Sequence, residues 1–151
     1  MSYPFEKIHH ICIAVHDIDE KIKYFESIGL GPWTEYPPLT EYTELDTPSP
    51  EGFYALRFMQ TYVGDMEIQL VQPGAGDSPQ KRFLETCGEG VYHIGFVVDD
   101  VNEGEKVLKE RGLETLTRGR RPDQSGFNYF DTKKDAGVTL LIRKTAEVKK
   151  P

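Results

Sequence analysis

Two histidines stand in stretches that otherwise read as buried strands: His10 in IHHICIAV and His93 in VYHIGFVV. A lone histidine in such a run is most often a core residue with its ring nitrogens satisfied. A pair is different. Two neutral imidazoles presented to one point make half of a site for Zn, Co, Ni, Mn or Fe, and strands hold such ligands rigidly.

A repeat in the chain implies that the two meet. Displaced by 83 positions, HICIAVHDIDEKIKYFESIGL (10–30) lies over HIGFVVDDVNEGEKVLKERGL (93–113) without a gap. Eight of the 21 positions are identical, among them His10/His93, Asp17/Asp100, Glu20/Glu103 and Gly29/Gly112, where ordinary composition gives roughly one or two. Two copies of one unit, related by pseudo-symmetry, set equivalent positions opposite each other across a shared cleft.

The elements that position the pair follow from the same pattern. Each copy opens with a strand, Ile8 to Val15 and Val91 to Val98, rich in β-branched and aromatic residues. A helix follows each. Asp17 with Glu20 and Asp100 with Glu103 have capping-box spacing, and Gly29 and Gly112 stand where a left-handed residue ends a helix. Ile18, Ile22 and Phe25 form the buried stripe of the first helix, and Val101, Val107 and Leu108 that of the second. Strand signals come next: WTEY, FYALRFMQ and DMEIQLVQ in the first copy, ETLT, FNYFDT and GVTLLIR in the second. The closing hairpins superpose at an offset of 72, taking Phe58 to Phe130 and Gln69 to Leu141, and the drop from 83 reflects a longer loop, PPLTEYTELDTPSPEG (37–52), that covers a cleft.

The expected class is therefore α+β: tandem βαβββ units forming an incomplete eight-stranded barrel around a cleft. The first module spans 1–80 and the second 81–146, sharing one domain over 5–146, with a flexible tail at 147–151. In MEIQLVQP, Gln69 is a polar residue between Ile68 and Leu70 on the strand that closes the first half, which makes it the candidate third ligand. Its repeat mate is Leu141. His9 alternates away from His10, His16 lies at the strand exit, and Tyr92 faces away from His93.

The 151 residues carry a net charge of −7, which argues against nucleic acid or an anionic membrane as partner and for small molecules. No apolar run approaches 18 residues and MSYPFEKIHH does not read as a signal peptide, so a cytoplasmic protein is expected. Cys12 and Cys87 are too few and too unlike in setting for a disulfide framework or a thiolate site.

The doubled unit, with IHHICIAVHDID, MEIQLVQPGAGDSPQKRFLE and GEGVYHIGFVVDDV, resembles the vicinal oxygen chelate superfamily of glyoxalase, bleomycin resistance and dioxygenase proteins. Within it the chain is most similar to the methylmalonyl-CoA epimerase family. That resemblance implies a divalent metal, Co, Mn, Zn or Ni, on His10, Gln69 and His93. It also implies a metal-stabilised enolate, an acyl-CoA or similar small acid as substrate, and a homodimer. The family's fourth ligand, a Glu that also serves as an acid/base group, falls on Leu141, and no carboxylate occurs between Val138 and Lys144. Three neutral donors leave the dication's charge unopposed, so weak metal binding is expected. Glu67, two residues before Gln69, and Glu51 are the candidate acid/base groups. Arg143 is placed to hold a substrate carboxylate, and Arg120 and Arg121, with Lys81 and Arg82, to meet coenzyme A phosphates. Trp33, Tyr36, Phe53 and Tyr54 are expected to line the cleft. Two alternatives follow from Leu141: a metal-free binding protein of the bleomycin-resistance kind, or another glyoxalase-type lyase. An iron dioxygenase is less well matched, because that chemistry favours two His and a carboxylate where Gln69 is an amide.

Overall fold

The two repeat-initial strands, β1 (Ile8–Ala14) and β6 (Gly90–Val97), pair antiparallel at the middle of one sheet. The computed structural model describes residues 4–146, so the tail at 147–151 lies outside the described residues. Each central strand runs into a helix, α1 (Ile18–Ser27) and α4 (Val101–Glu110). Asp17 accepts from the backbone N–H of Glu20, and Asp100 from those of Asn102 and Glu103, which satisfies donors that the first turn leaves free. Gly29 (φ 96) and Gly112 (φ 92) take the left-handed conformation just past the last turns. The N–H of Leu30 then donates to Phe25 at 2.8 Å and that of Leu113 to Leu108 at 3.0 Å, so the two helix ends are equivalent under the 83-residue shift.

The first half continues with β2 (Thr34–Glu35), β3 (Glu44–Asp46), α2 (Pro50–Tyr54), β4 (Arg57–Val63), β5 (Met66–Gln72) and α3 (Pro79–Cys87). The second adds β7 (Thr115–Arg120), β8 (Gly126–Phe130), α5 (Lys133–Ala136) and β9 (Thr139–Lys144). The order across the sheet is β2-β4-β5-β1-β6-β9-β8-β7-β3, open at both ends. In each half the closing strand lies parallel to the opening one: Cys12 is level with Gln69, and Gly95 with Leu141. Both pairs obey the shifts of 83 and 72, so Gln69 and Leu141 occupy equivalent positions.

Three details depart from the sequence reading. The sheet has nine strands where eight were expected, because the long loop supplies β3, which crosses over and pairs with β7 of the second half. Since β2 and β3 hold opposite edges of the sheet, residues 36–43 span from one edge to the other, over the concave face. The hairpin match moves as well. Phe58 lies opposite Val71, whereas Phe127 and not Phe130 lies opposite Arg143, so the equivalent of Phe58 is Phe127 and the second hairpin is three residues longer, room taken by α5. Finally, Gly104 and Glu105 are buried on α4 while Val107 is half-buried.

Glu105 is buried because it meets Arg118, Arg120 and Lys109. The guanidinium of Arg120 is fully buried and every N–H is used: Nε on Asn102, Nη1 on the Gly119 and Phe127 carbonyls, Nη2 on Glu105 and Asn128. Burial outweighs the carboxylate and lowers its pKa to about 10. The expectation that Arg120 binds a ligand is therefore corrected: a guanidinium has five N–H donors, and here none is left.

Ile18, Trp33, Met59 and Leu70 form the core beneath α1, and Val101, Leu108, Phe130 and Ile142 that beneath α4. The other side of the sheet carries a third cluster that includes Cys12, Val71, Tyr129 and Leu141. The two helix cores bury one face of each half-sheet and leave the concave face to the site. Among the described residues no helix is long and apolar enough to cross a membrane.

Candidate metal centre

His10 and His93 meet. Their Nε2 atoms are 2.8 Å apart and the rings cross edge to face, centroids 4.9 Å apart. Both residues are buried, with 2% and 0% of their surface exposed. This is the separation of a hydrogen bond between the rings, and since adjacent nitrogens ~2.1 Å from one cation stand ~3.0–3.4 Å apart, a small opening of the pair would admit a metal. The Nδ1 of His93 is buried and has no partner among the described residues.

The ladder between β1 and β6 explains how the rings are aimed. Its register slips between Ile8 and His10 and again between Cys12 and Ile13, leaving His9 and Tyr92 as the unpaired residues. They are repeat mates, 83 apart, so the duplication extends to its bulges. A bulge re-aims the side chains beside it. This overturns the alternation argument for His9, whose Nδ1 lies 2.9 Å from Nδ1 of His10, and for Tyr92, which is buried with its ring packed on Phe83, His93 and Tyr129.

Gly95 is level with His10 on the neighbouring strand, and a Cβ there would lie 2.1 Å from Cε1 of the His10 ring. The missing side chain is the space the imidazole fills. A glycine inside a strand can signal close approach, and that was the available sequence signal for this residue.

Gln69 is buried and lines the concave cleft with His10 and Leu141. Its Nε2 donates to Glu67 Oε2 at 2.5 Å, which turns the donor side of the amide away and leaves the carbonyl oxygen as its acceptor. Glu67 is itself buried, 4% exposed, and its other oxygen accepts from the Tyr62 hydroxyl at 2.9 Å. Ligand atoms of His9, His10 and Glu67 all lie within 4.8 Å of one another.

Burial is the main reason that the imidazoles stay neutral. It holds His10 well below the usual histidine value, helped by the rings of His93 and His9, whose protonated forms would repel a charge here, and by Arg143, and it lowers His93 to about 3. His9 is also lowered, by burial first and by Arg143 next, against Glu67. A neutral ring binds a cation without displacing a proton. The same burial sets a pH dependence. Below pH 6.5 the unfolded chain binds a proton that folded His93 refuses until about pH 3, so metal-free stability is greatest above 6.5 and falls with pH. Denaturant titrations between pH 7.5 and 4.5, in chelator, should show a loss of about 1 kcal/mol per pH unit from this residue alone. A slope that is unchanged in His93→Gln would refute that assignment.

The cleft holds about 430 Å³, its open mouth included. Tyr36, Tyr42, Phe53, Phe58 and Phe127 form its walls, with Arg121 and Arg143 as its cations. Arg143 Nη1 donates to the Tyr36 hydroxyl at 3.2 Å, while its Nε–H is buried without a partner among the described residues. Arg121 donates to Glu41 and to the Tyr42 hydroxyl and lies over the Tyr42 ring. Trp33 is instead in the α1 core, and Tyr54 is exposed. Glu51 is corrected in the same way: it is exposed on the first turn of α2 and does not line the cleft, to which that helix contributes Phe53. Lys81 donates to the Gly74 and Gly76 carbonyls, and Arg82 pairs with Asp77, so local contacts engage both.

Residues 9–130 match the model of the glyoxalase/bleomycin resistance protein/dioxygenase superfamily. The chain belongs to that superfamily. Similar proteins include the uncharacterized protein YqjC of Bacillus subtilis (strain 168), 26% identical over 138 residues that make up 90% of each chain. Another is human mitochondrial methylmalonyl-CoA epimerase, 26% identical over 137 residues, 89% of this chain and 71% of that one. The superfamily fold is shared with a methylmalonyl-CoA epimerase variant of Streptomyces coelicolor solved in complex with 2-nitronate-propionyl-CoA, at TM-score 0.68 and 24% identity, covering 95% of this chain and 99% of that one.

Proposed function

We propose that this chain is a divalent-cation-dependent isomerase of the methylmalonyl-CoA epimerase type, which removes and returns a proton beside the carbonyl of a small acyl-CoA thioester or related acid. The meeting of His10 and His93 at 2.8 Å, beside a cleft that His10 lines together with Gln69 and Arg143, carries this reading. Relatives that are methylmalonyl-CoA epimerases support it. His10, His93 and the carbonyl oxygen of Gln69 would hold the cation, which supplies positive charge beside the carbonyl oxygen as the proton leaves. Arg143 binds the substrate's free carboxylate through the Nε–H that has no partner, since a buried donor without an acceptor signals a missing ligand. The aromatic walls exclude water from the α-carbon. Glu67, bonded to Gln69, is the remaining acid/base candidate, and with Leu141 where the family's second carboxylate would fall the proton traffic is one-sided.

Incubation of the cobalt-loaded protein with methylmalonyl-CoA in D2O tests the reading. Deuterium should enter the α-carbon faster than the epimers interconvert, and a chelator should stop it. In Arg143→Gln the KM should rise roughly tenfold or more with a smaller change in kcat, as the loss of a charge-assisted hydrogen bond requires. No exchange at any cobalt concentration would refute it in favour of the alternative, a metal-free small-molecule binder of the bleomycin-resistance kind. The observation that favours that alternative is the cleft lining, where no Asp or Glu occurs among the described residues.

A further inference from the structure

A buried carboxylate needs a cation or a full set of donors. Glu67 is 4% exposed and forms no ion pair among the described residues, and the groups that donate to it are neutral, the Tyr62 hydroxyl and the Gln69 amide. Each carboxylate oxygen still has a lone pair to give. Beside it stand His9 and His10, with Nδ1 atoms 2.9 Å apart and all three ligand atoms within 4.8 Å of one another. On the other side of the same imidazole, Nε2 of His10 faces His93. His10 thus stands between two donor sets, one of two imidazoles and a carboxylate, the other of two imidazoles and an amide.

We propose that in the ligand-free protein the divalent cation rests on the first of these, bound by Nδ1 of His10, His9 and Glu67, and not on the cleft side with His93 and Gln69. The inference rests on the reading that this chain binds a divalent cation at His10, and it adds where the cation sits before substrate arrives. A neutral imidazole has one lone pair, so His10 serves one side at a time and its tautomer records which. The Glu67 side offers a negative charge and the cleft side none, because Leu141 occupies the corner where a carboxylate would be. Two imidazoles and a carboxylate suit Mn, Fe, Co or Zn. The bulge at His9 is what brings its ring to this side, and His9 is only half-buried, which gives the ion a way in. A carboxylate that holds the cation at rest cannot also serve as base. Were substrate oxygens to hold the ion on the cleft side, Glu67 would be free to do so.

Titration of the full chain with Co²⁺, followed by calorimetry and visible absorption, tests the assignment. His9→Phe and Glu67→Gln should each weaken binding tenfold or more. Loss of less than threefold in both would overturn it. His93→Phe and Gln69→Leu report separately on the cleft position: tenfold loss there with none at His9 and Glu67 leaves the functional reading standing and sinks this one. No binding of Co²⁺ to the unaltered protein at millimolar concentration sinks both. A measurement that needs no variant guards against misfolding. In ¹⁵N-histidine-labelled protein with Zn²⁺, Nδ1 of His10 should carry the metal-bound shift and Nε2 the proton, and the reverse assignment would overturn the proposal.

Discussion

Gly95→Ala is expected to weaken Co²⁺ binding at least a hundredfold, while Gly90→Ala, five residues earlier on the same strand, leaves it within threefold. The contrast rests on space. A Cβ at residue 95 would stand 2.1 Å from Cε1, 2.5 Å from Nε2 and 2.6 Å from Nδ1 of His10, whereas one at residue 90 meets nothing within 4 Å. Neither backbone has a positive φ, so alanine is not strained by conformation at either position. The three contacts are with the whole ring and not a flexible tip, so the imidazole must leave its place over β6. It shares Nε2 with the His93 side and Nδ1 with the His9 side, and its departure removes a ligand from both. Disturbing a metal's outer contacts already costs ten- to a hundredfold in affinity, and loss of a ligand costs more, so ~3 kcal/mol is a floor. Overpacking should also lower metal-free stability by about 1–3 kcal/mol. Cobalt titration with a denaturation curve for each variant checks both. Unchanged affinity in Gly95→Ala would mean that His10 holds no cation.

How much of this was legible beforehand depends on whether the determinant is local. The helix ends were readable because Asp17, Asp100, Gly29 and Gly112 act on their own turns, and the structure has them in those roles. The parallel registers were readable through the repeat: two copies of one sequence fold alike, so Gln69 and Leu141 had to be level with Cys12 and Gly95. The aim of His9 was not. Alternation assumes an unbroken ladder, and the slip at His9 depends on how β1 meets a strand more than 80 residues away. The burial of Arg120 is illegible for a related reason. Charged residues are almost always exposed unless paired, and its partners Glu105, Asn102 and Asn128 lie on α4 and β8, in no readable spacing from it. The crossing of β3 to β7 likewise joins segments about 70 residues apart. Exposed Glu51 was placed by family position, and nothing in the local pattern PSPEGFY distinguishes a cleft residue from a helix's first turn.

Leu141→Glu should trade stability for affinity. Leu141 is 3% exposed and packs in the cluster with Cys12, Val71 and Tyr129, on the face that carries His10 and Gln69. A carboxylate there is buried, so in chelator the variant should lose about 2–5 kcal/mol in a denaturant titration, from the lost packing and the cost of burying the charge. With cobalt the sign reverses. The new carboxylate supplies the fourth corner on the cleft side, and a charged ligand in place of none should tighten binding at least tenfold, about 1.4 kcal/mol or more. A ligand that binds only the folded state stabilises it by RT ln(1 + [L]/Kd), so the cobalt-induced rise in unfolding free energy at a fixed excess should exceed that of the unaltered chain by the same amount. The substitution also moves the balance across His10. With a charge now on both sides, the cleft set of His10, His93 and Gln69 no longer lacks an anion, and Glu67→Gln should cost the double variant less than it costs the single one. Equal losses in the two backgrounds would show that residue 141 and the cation do not meet, and that the pseudo-symmetry which makes Leu141 the mate of Gln69 stops short of the metal.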